Sequence, residues 1–340
     1  MASQIRLLVV LLFAAPFLAG LGLSQEASSG KKPLWDRNDF ITCGLEGPHG
    51  NLWFGTTTKG LIRFDGQNFQ AFTTKDGLSS NNVSSMLWAK DGSLWLGTAN
   101  GLSKFDGEKF TQVPLPKYKG PEFWGNPNLV VCLHQDRRGD LWIGTWGAGA
   151  YRYDGKVFSG YLADHGLVYE DGYHHSVIQS IVEDHYGNLW FTSMSHGGVS
   201  RFDGEEFTHF DGDDGLGDMM VLSSFTDRAG NLWFGGKDHG LFRWNGKGFV
   251  SVLDQAGELI NNVVCFYELG TDKMLLGRDG GGNLLILQKG EVSAITNGSN
   301  QPFRDIRFLL EDKAGRLWIG GRRGALWSYD GNDWVDRRTL

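Results

Sequence analysis

The sequence predicts an all-β fold, a seven-bladed β-propeller of four-stranded antiparallel blades, and three observations predict it. A string of the form Gly-Asn-Leu-Trp-Phe-Gly begins at Gly50 and returns at Gly92, Gly139, Gly187, Gly230 and Gly315. Successive copies lie roughly 42 to 48 residues apart, the length of one blade, except for one gap of about twice that length before Gly315. Finally, 50 glycines against 8 prolines, without a Gly-X-Y period, call for many tight turns between short strands.

Each unit resolves into four strands, taken here in chain order. The first is marked by Ile41, Val83, Val130, Ile178, Val221, Val263 and Ile306, all β-branched and twelve residues before the Trp column. This column supplies the seventh unit, because the sixth copy carries Leu275 where the others carry Trp53, Trp95, Trp142, Trp190, Trp233 and Trp318. Two residues on come Cys43, Ser85, Cys132, Ser180, Ser223, Cys265 and Phe308, small in six copies, as a strand crowded near an axis requires. A type I turn follows, with Asp136/Gly139, Asp184/Gly187, Asp227/Gly230 and Asp312/Gly315 three apart. The Trp strand is next, and the third strand ends in hairpin signals such as Phe64-Asp65-Gly66 and Trp244-Asn245-Gly246. The fourth carries Phe69, Phe110, Phe158, Phe207, Phe249 or Trp334. The Trp column is expected to wedge between neighbouring blades.

The chain ends of this array read differently. Arg6 precedes an apolar run from Leu7 to Phe13, small residues to Leu23, and polar Ser24-Gln25-Glu26. That is the layout of a secretory signal peptide over 1–24, followed by an extension over 25–38 and the propeller over 39–340. The expected location is periplasmic or secreted, with no membrane span after cleavage. Leu34 and Trp35 in the extension are candidates for an edge strand or a wedge beside Trp334. A formal net charge of -7 argues against a nucleic-acid or anionic-membrane partner.

Three strings recur in fixed order: Asp-x-x-Gly-Asn-Leu-Trp-Phe-Gly-Thr, Gly-Leu-x-x-Phe-Asp-Gly, and Asp76-Gly77-Leu78-Ser79-Ser80-Asn81. In these the chain resembles the two-component regulator propeller repeat family. The resemblance implies an extracytoplasmic sensor region that recognises oligosaccharides or similar nutrients. Family members commonly continue into a kinase, whereas this sequence stops at Leu340 straight after the seventh blade, so signalling in cis is not expected.

The repeated residues hold the ring, so a ligand site is expected where the repeat varies, on the face carrying the longer loops. Aromatics beside guanidiniums and imidazoles select Trp124, Trp146, Tyr173, His174, His196, His239, Arg278 and Arg322 as ligand-binding candidates. His174, His175, His196 and His239 lack a recognised metal spacing, and no cofactor is expected. His134 reads as a satisfied core histidine, and His49 and His185 are set aside because they occupy the opposite turns. Asp211, Asp213 and Asp214 read as an acidic turn rather than a calcium loop. The three cysteines share one column of non-adjacent blades and read as small buried fillers. No nucleophile elbow or phosphate loop appears, so no catalytic residue is assigned.

The leading functional reading is a non-catalytic propeller that binds a small polar ligand such as an oligosaccharide, or a protein partner. One alternative is a metal-dependent lyase resembling streptogramin lyase, with His196 or His239 as base and Glu122 or Asp238 near the metal. The other is a protein-interaction scaffold.

Overall fold

The computed structural model describes residues 34–35, 38–120, 125–163, 176–194, 197–217 and 220–339. The β-branched column opens each inner strand: Ile41–Glu46, Val83–Trp88, Val130–Gln135, Ile178–Glu183, Val221–Thr226, Val263–Leu269 and Ile306–Glu311. From each, three further antiparallel strands follow outward in chain order, giving seven separate four-stranded sheets. Neighbouring inner strands pack on one another, and Ile41–Glu46 meets Ile306–Glu311 to close a seven-bladed ring. Ile41 pairs with Thr56 and Cys43 with Gly55, so Thr42 is the extra residue of a bulge. The bulge interrupts the strict alternation that the sequence suggests.

Crowding at the axis explains the small column. A Cβ added at Gly144 would lie 2.4 Å from Cys132 Sγ, and one at Gly277 would lie 2.2 Å from Cys265 Sγ. Small residue and glycine therefore face each other across the first two strands, and all three cysteines are free. Burial pushes the Cys43 thiol up to about 11 and those of Cys132 and Cys265 up to about 12. They are fillers with no thiolate character at neutral pH.

The turn aspartate does more than turn the chain. Trp142, Trp190, Trp233 and Trp318 each donate the indole N–H to the aspartate six residues earlier, at 2.9 Å. The other carboxylate oxygen accepts a backbone N–H, as from Asn188 to Asp184 at 2.9 Å. Burial raises the Asp184 and Asp312 carboxyls, but the indole and further N–H donors outweigh it and hold both below the usual range. With its polar edge satisfied, each indole can wedge between blades: Trp142 meets Phe191 and Phe202, and Trp318 meets Phe54 and Phe64. Burying one such ring stabilises by about 2–3 kcal/mol.

The seam between blades 7 and 1 has its own fittings. Phe308 replaces the small inner residue and occupies the space over Gly44, where a Cβ would lie 2.5 Å from its ring. Trp35 is buried against Trp318, Phe64 and Phe69 and donates to the Gly324 carbonyl at 3.0 Å. The extension thus supplies a wedge, but beside Trp318; Trp334 packs instead on Phe303. The expected signal peptide lies outside the described residues. Among the described residues, no helix is long and apolar enough to cross a membrane.

Candidate ligand site

On the face that carries the Asp-Gly turns, a repeated latch joins neighbouring blades. The residue after the turn aspartate, or its equivalent, gives its backbone N–H to the acid or amide at or next to the end of the next inner strand. Lys90 bonds Gln135 at 2.8 Å, Arg137 bonds Glu183 at 3.1 Å, Arg228 bonds Glu268 at 2.8 Å and Lys313 bonds Glu46 at 2.9 Å. The basic side chain then reaches over the next turn: Lys90 Nζ bonds the Asp136 carbonyl at 2.9 Å, and Arg137 bonds the carbonyls of Asp184 and His185.

Between blades 4 and 5 the two latch positions hold His185 and Thr226. There a cleft of about 530 Å³ opens, lined by Asp184, His185, Tyr186, Asn188, Trp190, Arg201, Asn231, Arg243, Trp244 and Asn245. Tyr186 stands 79% exposed with its ring 3.7 Å from that of His185. Trp190 and Trp244 lie 5.2 Å apart. His185, set aside on sequence grounds because it lies among the short turns, lines this cleft.

The charge of the cleft follows from one column of the third strand. Arg63, Lys104, Arg152, Arg201 and Arg243 each sit opposite the Trp of their own blade. In blade 3, Arg152 Nε meets Asp140 at 2.6 Å. Blades 4 and 5 have Asn188 and Asn231 in the place of Asp140, and both amides donate to their turn aspartates at 2.9 Å. Arg201 bonds Thr208 at 3.2 Å and lies over Trp190, and among the described residues neither Arg201 nor Arg243 has a carboxylate partner.

A smaller hollow of about 230 Å³ lies between blades 3 and 4. Two of its three arginines are matched, Arg152 to Asp140 and Arg137 to Glu183 at 3.5 Å; the third is Arg138. His134 lies 3.8 Å from Glu183, and its Nε2 has no hydrogen-bond partner among the described residues, so it is not the satisfied histidine the sequence suggests. Burial pushes its imidazole down to about 4, and burial also raises the Glu183 carboxyl despite Arg137.

The sequence-selected candidates among the described residues fall on the other face. Arg278 Nε donates to the Asn261 carbonyl at 2.7 Å. Arg322 grips Asp279 at 2.6 and 3.0 Å, Arg307 meets the same carboxylate at 2.7 Å, and Arg322 lies over the Phe40 ring. These two guanidiniums are thus brought onto adjoining blades and engaged by protein groups. Trp146 is half-buried and its backbone N–H bonds the Leu129 carbonyl at 2.9 Å, while His239 is exposed with its ring against Gly217. Trp124, Tyr173, His174 and His196 lie outside the described residues, as do Glu122 and His175. Among the described residues, no group of three or more His, Cys, Asp or Glu is placed to hold a metal. Asp211, Asp213 and Asp214 form a short turn, capped by Asp211 and closed by Gly215 at φ 97°.

Residues 77–100, 125–147 and 172–195 match the two component regulator propeller family. Over 176 residues the chain is 27% identical to histidine kinase P4 of Formosa agariphila, covering 48% of this chain and 12% of that kinase. Among solved structures it is similar to PorZ of Porphyromonas gingivalis, an essential bacterial surface component of the type-IX secretion system. That likeness has 18% identity and a TM-score of 0.60, and covers 91% of this chain and 48% of the other. Virginiamycin B lyase of Staphylococcus aureus gives 12% identity and a TM-score of 0.64, covering 87% of this chain and 96% of the lyase. At these identities the structural likenesses show the fold alone. The three matched segments carry the strings that recur around the ring, and in them the chain is similar to the two component regulator propeller family.

Proposed function

We propose that this chain is an extracytoplasmic recognition propeller that binds a small polar ligand of the oligosaccharide class without chemical turnover, in the cleft between blades 4 and 5. One observation carries the reading: aromatic faces, side-chain amides and guanidiniums converge there, where the latch of the neighbouring seams is replaced. Aromatic rings present flat apolar faces to the C–H side of a sugar, and amide and guanidinium groups meet its hydroxyls. The apolar run after Arg6 supports export, and the family match supports a sensor role.

The test is calorimetric titration of the full chain with a panel of neutral and acidic oligosaccharides. Tyr186→Ala is expected to weaken binding at least tenfold while leaving the melting temperature in place, because the ring is largely exposed. Arg322→Ala, on the opposite face, is expected to leave affinity unaltered. Loss of binding in Arg322→Ala but not in Tyr186→Ala would move the site to the long-loop face. No heat with any glycan would overturn the reading in favour of a protein partner.

A further inference from the structure

Resting on that reading, we infer that the ligand of the blade 4/5 cleft is an acidic oligosaccharide, recognised through a carboxylate on a sugar ring. The inference comes from comparing equivalent positions around the ring. The basic residue opposite the Trp is neutralised within its own blade where an acid is at hand: Lys104 by Asp91 at 3.0 Å and Arg152 by Asp140 at 2.6 Å. Blades 4 and 5 replace the Asp140 carboxylate by the amides of Asn188 and Asn231. Arg63 of blade 1, where Asn51 stands at the same position, also lacks a carboxylate and bonds the Gln70 amide at 2.7 Å; the guanidiniums of blades 4 and 5, Arg201 and Arg243, line one and the same cleft.

The one acid of that lining is Asp184, and its oxygens already accept from the Trp190 indole, the Asn188 amide and two backbone N–H groups. It is therefore committed to the fold rather than to the arginines. Arg201 Nε is buried and has no hydrogen-bond partner among the described residues, which leaves a charged donor unmet beside the cleft. Its guanidinium lies 5.8 Å from the Trp190 centroid and 5.9 Å from that of Phe210, which fixes the plane of the fork. A planar fork suits a planar carboxylate, and partial exclusion of water strengthens the pairing. The aromatic rim supplies the stacking surface for the ring that bears it.

The experiment titrates the full chain with tetragalacturonate, with the neutral galactose tetramer, and with a sulfated galactose tetramer. Tetragalacturonate is expected to bind at least tenfold more tightly than the neutral sugar, with an advantage that shrinks as salt rises. Arg243→Gln is expected to cut that preference to less than threefold. Asn188→Asp, which returns a carboxylate to the position Asp140 holds in blade 3, is expected to do the same while adding a side chain of equal size. Melting temperatures of both variants report whether the fold is retained. Equal affinity for the neutral tetramer would overturn the acidic ligand and leave the recognition reading standing. Equal affinity for the sulfated tetramer would overturn the choice of carboxylate. Failure of all three sugars to bind would sink both.

Discussion

The seam between blades 3 and 4 and the seam between blades 4 and 5 are made by the same repeat, yet one is closed and the other open. Both keep the Trp–Asp unit: Trp142 on Asp136 and Trp190 on Asp184, each at 2.9 Å. The differences that set latch and charge lie at the periphery. Arg137 and Glu183 latch the first seam, where His185 and Thr226 stand at the second. Asp140 neutralises Arg152, where Asn188 leaves Arg201 unmatched. The framework is thus insulated from the substitutions that create a polar cleft, because the indole and its aspartate satisfy each other regardless of what surrounds them. A repeat protein gains a site by relaxing its latches and charge pairs one seam at a time.

If the framework is shared, its removal must be equally damaging at both seams. Trp142→Ala and Trp190→Ala are each expected to cost about 3–5 kcal/mol, from lost burial, the cavity, and a stranded aspartate. Urea denaturation measures this; a cost below about 1 kcal/mol for Trp190→Ala alone would show that the open seam has loosened its core as well.

The next effect separates the seams by pH. His134 faces the closed seam, whereas the equivalent residue of blade 4 is Val182. Burial holds the His134 imidazole at about 4 in the fold, below the 6.5 of an unfolded chain. A folded value below the unfolded one means that stability is intact above pH 6.5. It falls as acid protonates the unfolded chain first, by on the order of 3 kcal/mol once pH 4 is reached. His134→Val, which copies blade 4, is expected to flatten the loss between pH 6.5 and 4. An unchanged pH profile would place the titration elsewhere.

The fold was legible because the ring is built from residues that must repeat. Seven β-branched residues at the start of the inner strands mark the blades even where Leu275 replaces the Trp. The second role of the turn aspartate was harder to read, since a turn signal and an indole acceptor are the same residue. The latch was invisible because its two halves lie about 45 residues apart and half of it is a backbone N–H, as in Arg137 to Glu183. The cleft did leave a signal: Asp140, Asn188 and Asn231 align opposite Arg152, Arg201 and Arg243. Loop length is plainer in a linear sequence than the alignment of columns, and it favours the long-loop face. There Arg278 and Arg322 looked available in sequence, but Asn261 and Asp279 engage them. Their partners come from other loops or the adjoining blade, which linear spacing does not reveal.

The smallest expected effect is the most direct test of the comparison, because it rebuilds one seam as the other. Arg137→Ala removes the side-chain half of the existing latch, two charged hydrogen bonds to the carbonyls of Asp184 and His185, and is expected to cost about 1–2 kcal/mol. Conversely, His185→Arg with Thr226→Glu supplies both halves at the open seam. The gain is offset by the Thr226 hydroxyl bond to the Glu183 carbonyl, so the net stabilisation is expected to be about 1 kcal/mol. Closing the seam also draws an arginine across the turn beside Tyr186, at the mouth of the cleft. Glycan affinity should therefore fall at least tenfold as stability rises. His185→Arg alone lacks the acid that anchors the latch and should change each quantity less. Stabilisation with undiminished affinity would show that latch and cleft are independent, and that the openness of the blade 4/5 seam comes from its charges and aromatic rim rather than from the missing clasp.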